Sequence, residues 1–339
     1  MHDPLSPVPA GPALESLMSI TRFLGLLLTI ALFCQSASLA HAQKPFIPGT
    51  GQKVVQVGDD FEEENWGFEF NWPKSSKNLN EFTGGAGGKS TNDRWYEGVK
   101  RGQPDIVKRV ETPPGGVPGS KGALLLQSLR TGIPNSPSYK LQQDDFVCNI
   151  HYRLGGSIPV SQNPSFTCKV FLPPIDEWEE RNGCSFAIRG SVDTRVFKVP
   201  EDAGRYATAR MMREEYWPGM FIQFESKERS NREDDYAWIR IRGNNRGGDF
   251  RGPQITQTGW WTFGMSFTPD GQVHYYASPG VDDLTEEDYI TSQFPYGYKC
   301  ERFQTFFFNV CNGDDNRTWS TKWIVDDCFF YYIPQTARR

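Results

Sequence analysis

Apolar and polar residues alternate with a period of two through Met220 to Ala277, and this pattern limits the chain's fold more than any other. Successive side chains on a strand point to opposite faces. In Ala237-Trp238-Ile239-Arg240-Ile241-Arg242, one face is Ala237, Ile239 and Ile241, and the other is Trp238, Arg240 and Arg242. Met220 to Glu225 repeats the pattern, with Met220, Ile222 and Phe224 on one side and Gln223 and Glu225 on the other. Beyond the turn dipeptide Asp270-Gly271, a third strand puts Gln272, His274 and Tyr276 on one face. Such strands bury one side and leave the other polar, as antiparallel sheets do. If the three are neighbours, they share a polar-aromatic face suited to a polar or anionic ring-shaped ligand. The alternative is an ordinary solvated sheet face.

Further strands are expected at 122–128, 165–172, 184–190, 260–268, 302–311 and 322–332, with a first one near Val54 to Val57. The helical signal is confined to single turns at 175–181 and 284–289. Many glycines and prolines separate the strands. The reading is all-β, a two-sheet antiparallel β-sandwich formed by one domain at 54–333, with a lead-in at 43–53 and a tail at 334–339.

The chain begins with an export leader. Arg22 precedes the apolar run 23–34, and Ala40-His41-Ala42 is a cleavage pattern, so residues 1–42 read as a signal peptide. Met18 is a better start for it than Met1. The run is too short to span a bilayer, so the mature chain has no transmembrane span. The expected location is secreted, periplasmic or cell-surface. A net charge of −5 excludes bulk attraction to nucleic acid. Cys148, Cys168, Cys184, Cys300, Cys311 and Cys328 follow the leader, a number that suggests disulfides in an exported chain. Cys148 with Cys168 is the favoured bridge. Cys300 with Cys311 is disfavoured, because an extended strand would hold them about 30 Å apart. No C-x-x-C pair supports zinc. Thr83 stands where a phosphate loop needs its first glycine, which rules that motif out.

A family resemblance rests on the order of several segments. Asp60-Phe61-Glu62 comes first, then Gly259-Trp260-Trp261-Thr262-Phe263. The Asp270-Gly271 turn and Gln272-Val273-His274-Tyr275-Tyr276 follow, and Trp323-Ile324-Val325-Asp326-Asp327-Cys328 closes the chain. This order resembles the concanavalin A-like lectin/glucanase jelly rolls of exported bacterial proteins. The resemblance implies two stacked antiparallel sheets with a concave glycan-binding face. The E-x-D-x-x-E motif of laminarinase-type glucanases is missing, since Thr291 stands where its last Glu belongs. Of the alginate-lyase-type motifs, Gln272-Val273-His274 matches one, Arg213-Glu214-Glu215 is a poor match to another, and the third is absent.

The expected partner is a polysaccharide or oligosaccharide. Gln223, Glu225, Trp238, Arg240, Arg242 and Gln272 are the expected ligand-binding residues, with the two arginines left free to hold carboxylate or sulfate. If the protein is a polysaccharide lyase, His274 is the base and Tyr276 the acid. Asp60, Glu62 and Asp326, with Asp59 and Asp327 beside them, supply oxygens suited to structural calcium. The expected function is an exported carbohydrate-binding protein for an anionic polysaccharide. The alternatives are a lyase or hydrolase of the same fold, or a protein-interaction domain.

Overall fold

The computed structural model describes residues 45–85, 87–200 and 208–335. The expected leader, residues 1–42, and the cleavage expected after Ala42 lie outside them. The described residues form two antiparallel sheets, the architecture that the resemblance implied. The larger, here the groove sheet, runs edge to edge through Asp249–Ile255, Tyr236–Arg242, Gly219–Glu225, Gly183–Lys198, Arg302–Asn312, Gln142–Cys148, Trp95–Glu97, Lys89–Ser90 and Phe68–Glu69. Arg210–Tyr216 pairs with the far end of Gly183–Lys198, and Ile158–Pro159 with the start of Arg302–Asn312. The back sheet runs Tyr289–Gln293, Val273–Pro279, Gly259–Phe267, Ser165–Leu172, Trp323–Tyr332, Gly122–Gln127 and Ile106–Glu111, with Gln52–Lys53 beside Trp323–Tyr332.

Alternation builds the core. Ile239 and Ile241 are fully buried, as are Met220 and Ile222 on the neighbouring strand and Phe306 and Phe308 two strands further on. They meet Phe166, Val170, Phe263, Met265 and Phe267 from the back sheet in one apolar cluster. Phe166 stacks on Phe306 across the interface with ring centroids 4.6 Å apart. Each such side chain contributes about 1.5–3 kcal/mol by leaving water. Helix is confined to short turns, including Ile175–Glu177 and Glu286–Asp288. Val54 and Val57 do not form the first strand. They are buried plugs that follow the two-residue strand Gln52–Lys53.

The region 220–277 holds two hairpins in different sheets. Gly219–Glu225 pairs with Tyr236–Arg242 in the groove sheet, whereas Gly259–Phe267 pairs with Val273–Pro279 in the back sheet. The single shared face expected of three neighbouring strands is therefore corrected. Alternation sets the face of each strand but not its neighbour.

The cysteines also depart from expectation. All six among the described residues are buried free thiols. Cys148 and Cys168 sit on strands of opposite sheets instead of closing a local loop.

One buried ion pair fastens the segment that flanks the groove. Lys74, fully buried, places its Nζ 2.7 Å from Asp144 and 3.6 Å from Asp105, and donates to the Gln103 carbonyl. Asp144 also accepts from Ser128. Lys77 and Asn78 then donate through their backbones to Val99 and Lys100, which ties this segment to the 98–102 turn.

Candidate functional site: a basic and aromatic groove

The outer face of the groove sheet is set by cross-strand register. Val147, Phe307, Arg189, Gly219 and Arg242 stand in one row, and Asp145, Asn309, Ala187, Phe221 and Arg240 in the next. The turn at 98–102 and Trp217 rise on either side. Lys100, Arg101, Gln143, Asp145, Arg189, Trp217, Arg242, Tyr296 and Phe307 line a cleft there. It continues into a second cleft with Lys100, Asp145, Trp217 and Phe307 in common, walled by Tyr96, His151, Tyr152 and Glu215.

Arg189 lies at the centre of this floor. It is 8% exposed, and its guanidinium carbon lies 5.4 Å from the ring centroids of both Phe221 and Phe307, one on each flanking strand. Nη2 donates to the Trp217 carbonyl at 2.8 Å, and Nη1 reaches Asn309 Oδ1 at 3.5 Å. Nε has no partner, and no ion pair to Arg189 is found among the described residues. Burial, then the neighbouring Arg242, pull its pKa down to about 10, while Asp145 acts in the opposite sense. Arg189 therefore stays charged at neutral pH, held rigidly between two rings.

Asp145 is fixed by Asn309 Nδ2 at 2.7 Å and Gln143 Nε2 at 2.9 Å. Burial raises its pKa, with Gln143 and then Arg189 opposing the rise. A Cβ at Gly98 would strike Asp145, so glycine lets the 98–102 turn close down here. Lys100 Nζ lies 3.8 Å above the Trp217 ring and 3.3 Å from Glu215. Glu215 also accepts from Ser191. Tyr152 stacks edge-on to both Tyr96 and His151, and His151 Nδ1 is buried without a partner.

Gln223, Glu225, Trp238, Arg240 and Arg242 do share one outer face, with Gln223 opposite Trp238 and Phe221 opposite Arg240. The two arginines are not free, however. Asp249 on the next strand reaches Arg240 Nε at 3.3 Å and Arg242 Nε at 2.7 Å, and both guanidiniums lie over Phe221. The hydrogen bond that Arg242 donates to Asp249 is the main cause of its raised pKa. Glu225 is paired with Arg232.

His274 and Tyr276 are corrected as partners in this groove, because their strand is in the back sheet. His274 is fully buried, with its ring bonded to Thr268 and Ser292, and Tyr276 is 1% exposed. Gln272 sits in the turn and bonds through its backbone to Asp270.

The carboxylates at the chain's two ends do meet, since Asp59 pairs with Cys328. Ser120 Oγ lies 2.9 Å from both Glu62 and Asp326. Glu62 Oε1 also accepts from the backbones of Lys121 and Gly122, while Asp326 is fully buried with its pKa pushed up to about 7, chiefly by that burial. Asp60 only caps its own turn, at the Glu62 backbone. Among the described residues no group of three or more His, Cys, Asp or Glu side chains is arranged to hold a metal ion. Glu62 and Asp326 already accept from Ser120, and Glu62 from two backbone amides as well, so internal donors engage these oxygens.

Arg189, Asp145, Asn309, Tyr96 and His151 did not emerge from the sequence reading as site residues, whereas the position of Trp217 near a turn suggests a cleft mouth. One signal was present: Arg189 is the lone charge in the apolar run Phe186-Ala187-Ile188-Arg189-Gly190.

Fold and groove together describe an antiparallel β-sandwich with a basic, aromatic-walled cleft across one sheet. No known protein-family model matches the sequence, and no curated protein sequence matches it. Among solved structures, the chain is similar to an alginate lyase from Pseudomonas aeruginosa, at 8% identity and a TM-score of 0.35, over 68% of this chain and 87% of that one. It is similar to a GH131 beta-glucanase catalytic domain from Podospora anserina, at 9% identity and a TM-score of 0.36, over 68% and 81%. A protein of unknown function from Shewanella oneidensis is similar at 9% identity and a TM-score of 0.34, over 81% and 89%. No helix among the described residues is long and apolar enough to cross a membrane.

Proposed function

We propose that this protein acts after export, secreted, in the periplasm or at the cell surface, and binds an anionic polysaccharide along the groove. Arg189 receives a carboxylate or sulfate, and Trp217 and Tyr96 supply apolar walls for sugar rings. The observation that carries this reading is Arg189 itself. A buried guanidinium without an ion-pair partner is costly to keep, and an anionic ligand supplies the missing charge. Arg101 beside it adds to this positive charge, whereas Lys100 and Arg242 are already paired with Glu215 and Asp249. The test is affinity electrophoresis of the parent and Arg189→Gln against uronate-containing, sulfated and neutral polymers. The parent is expected to be retarded by the anionic polymers. The variant should lose roughly 1.5–3 kcal/mol of that binding, the range for a charge-assisted contact. Equal retardation of the two proteins would refute the assignment.

His151 favours a second reading, a polysaccharide lyase. Its unpartnered Nδ1 lies in the same groove as Tyr96, Tyr152 and Arg189. β-Elimination needs a group that neutralises the uronate carboxylate, a base for the adjacent proton and an acid for the leaving oxygen. In this reading Arg189 neutralises, His151 is the base and a tyrosine is the acid, so the roles given to His274 and Tyr276 move to the groove. A lyase releases unsaturated ends that absorb in the ultraviolet. Under this reading His151→Ala abolishes their release and keeps most of the affinity, whereas a pure binder releases none.

A further inference from the structure

We propose that Cys184 and Cys311 are a redox pair that closes to a cross-strand disulfide on the outer face of the groove sheet. Their sulfurs are 3.6 Å apart, with the Cys311 thiol donating to Cys184. A β-bulge brings them together. Pairing to Gly219–Glu225 shifts by one residue between Cys184, opposite Gln223, and Phe186, opposite Ile222. The shift puts Cys184 on the outer face with Gln223, where it packs with Cys311, Ala187 and Phe221 in a small cluster apart from the main core. Phe186 stands opposite Val310, and the two cysteines lie just beyond that pair on the same two adjacent strands, at the edge of the bulge. A disulfide requires the sulfurs to approach from 3.6 Å to about 2.05 Å, a movement of about 1.5 Å.

Arg181 reinforces the junction. Its Nη2 donates to the carbonyls of both cysteines, at 2.6 Å to Cys184 and 3.1 Å to Cys311, and its Nε is paired with Glu179. The two strands are thus clamped at the point where the bond would form. Charge also separates Cys184 from the other thiols, Cys311 included, whose own thiol is pushed up by the bond to Cys184 and by burial. The hydrogen bond from Cys311 holds the Cys184 thiol below its ordinary pKa against burial, and Arg240, Arg181 and Arg189 add to the effect. Burial instead pushes up Cys148, Cys168, Cys300 and Cys328. The thiolate is the nucleophile in disulfide exchange, so Cys184 is the one cysteine of the six poised to attack.

The oxidant is an external disulfide such as oxidised glutathione. The Cys184 thiolate attacks one of its sulfurs and expels a glutathione thiolate, leaving a mixed disulfide. Cys311 gives its proton to water, attacks the Cys184 sulfur and expels the second glutathione. Two protein thiols are oxidised, and one glutathione disulfide is reduced to two thiols.

The protein is refolded in an oxidising glutathione buffer, its remaining thiols are blocked, and its peptides are mapped by mass spectrometry with and without reductant. The expected result is a peptide pair joining Cys184 to Cys311 that separates on reduction. Reduction should also lower the Tm of the parent by several degrees and leave Cys184→Ser unchanged. Recovery of both residues as blocked free thiols, or of Cys184 joined to any other cysteine, overturns the proposal. Cys311→Ser replaces Cys184→Ser if the latter fails to fold, and the map of the parent is decisive without either.

Discussion

The buried imidazole of His274 makes a quantitative prediction about acid stability. Its neutral ring is fully satisfied. Nε2–H donates to Thr268 Oγ1, whose own proton goes to Asp270. Ser292 donates to Nδ1 and in turn accepts from Tyr289. A second ring proton would face the Ser292 hydroxyl donor in a site with no access to water. Burial accordingly lowers the pKa to about 4, only partly offset by Asp270. The unfolded chain has an ordinary value near 6.5, so the native state binds fewer protons between the two. The stabilisation is complete above pH 6.5 and is lost as pH falls towards 4. The shift is about 2.5 units, worth about 3 kcal/mol. Urea unfolding of the parent and His274→Gln should be measured at intervals from pH 7.5 to 4. Glutamine keeps a donor and an acceptor but does not titrate. Whatever its offset at neutral pH, its stability should fall with acid by about 3 kcal/mol less than that of the parent. Parallel curves for the two proteins would show that His274 does not sit neutral in this pocket.

Asp326 titrates in the opposite sense. Its raised pKa means that the native state holds a proton the unfolded chain has released, so its contribution declines as pH rises from about 4 to 7, and the decline should be missing in urea melts of Asp326→Asn. Lys74→Met leaves Asp144 buried and unpaired and should cost about 3–5 kcal/mol in urea unfolding, much of which Lys74→Met with Asp144→Leu should restore. Asp249→Asn releases Arg240 and Arg242 and should strengthen retardation by an anionic polymer by about 1 kcal/mol or less, with a steeper salt dependence. Unchanged retardation would place that end of the face outside the contact.

Period-two alternation made the strands legible. Ser165–Leu172 and Tyr236–Arg242 stand where the pattern put them, and Ile239 and Ile241 are core while Arg240 and Arg242 are not. Strand neighbours were not legible. Asp270-Gly271 marks a hairpin, but nothing local says that this hairpin joins the back sheet while Gly219–Arg242 joins the groove sheet. That choice depends on pairings between distant segments, such as Arg302–Asn312 with Gly183–Lys198. The candidate site suffered most. Trp238, Arg240 and Arg242 were found because each alternates with an isoleucine or alanine. Arg189 was hidden among apolar residues, and its aromatic clamp comes from two other strands. Asp249, which decides whether Arg240 and Arg242 are free, lies in a Gly-rich stretch with no alternation of its own. Cysteine spacing was equally silent, since the close pair is 127 residues apart and meets only through the pairing of two distant strands.

The place of Trp323–Tyr332 bears on how this protein can be made. The strand lies between Ser165–Leu172 and Gly122–Gln127, inside its sheet, with Gln52–Lys53 against it as well. A chain that emerges from a ribosome N-terminus first therefore delivers this interior strand well after both strands that flank it. Until it arrives, Ser165–Leu172 and Gly122–Gln127 each expose an unpaired edge beside uncovered core, the combination that templates aggregation. Folding of this sheet has to wait for Trp323–Tyr332, and the high sequence separation of these pairings makes the closing step slow. Loss of this strand to a stop codon just before Trp323 is then as damaging as a deletion through the core, although every other strand of both sheets would still be present.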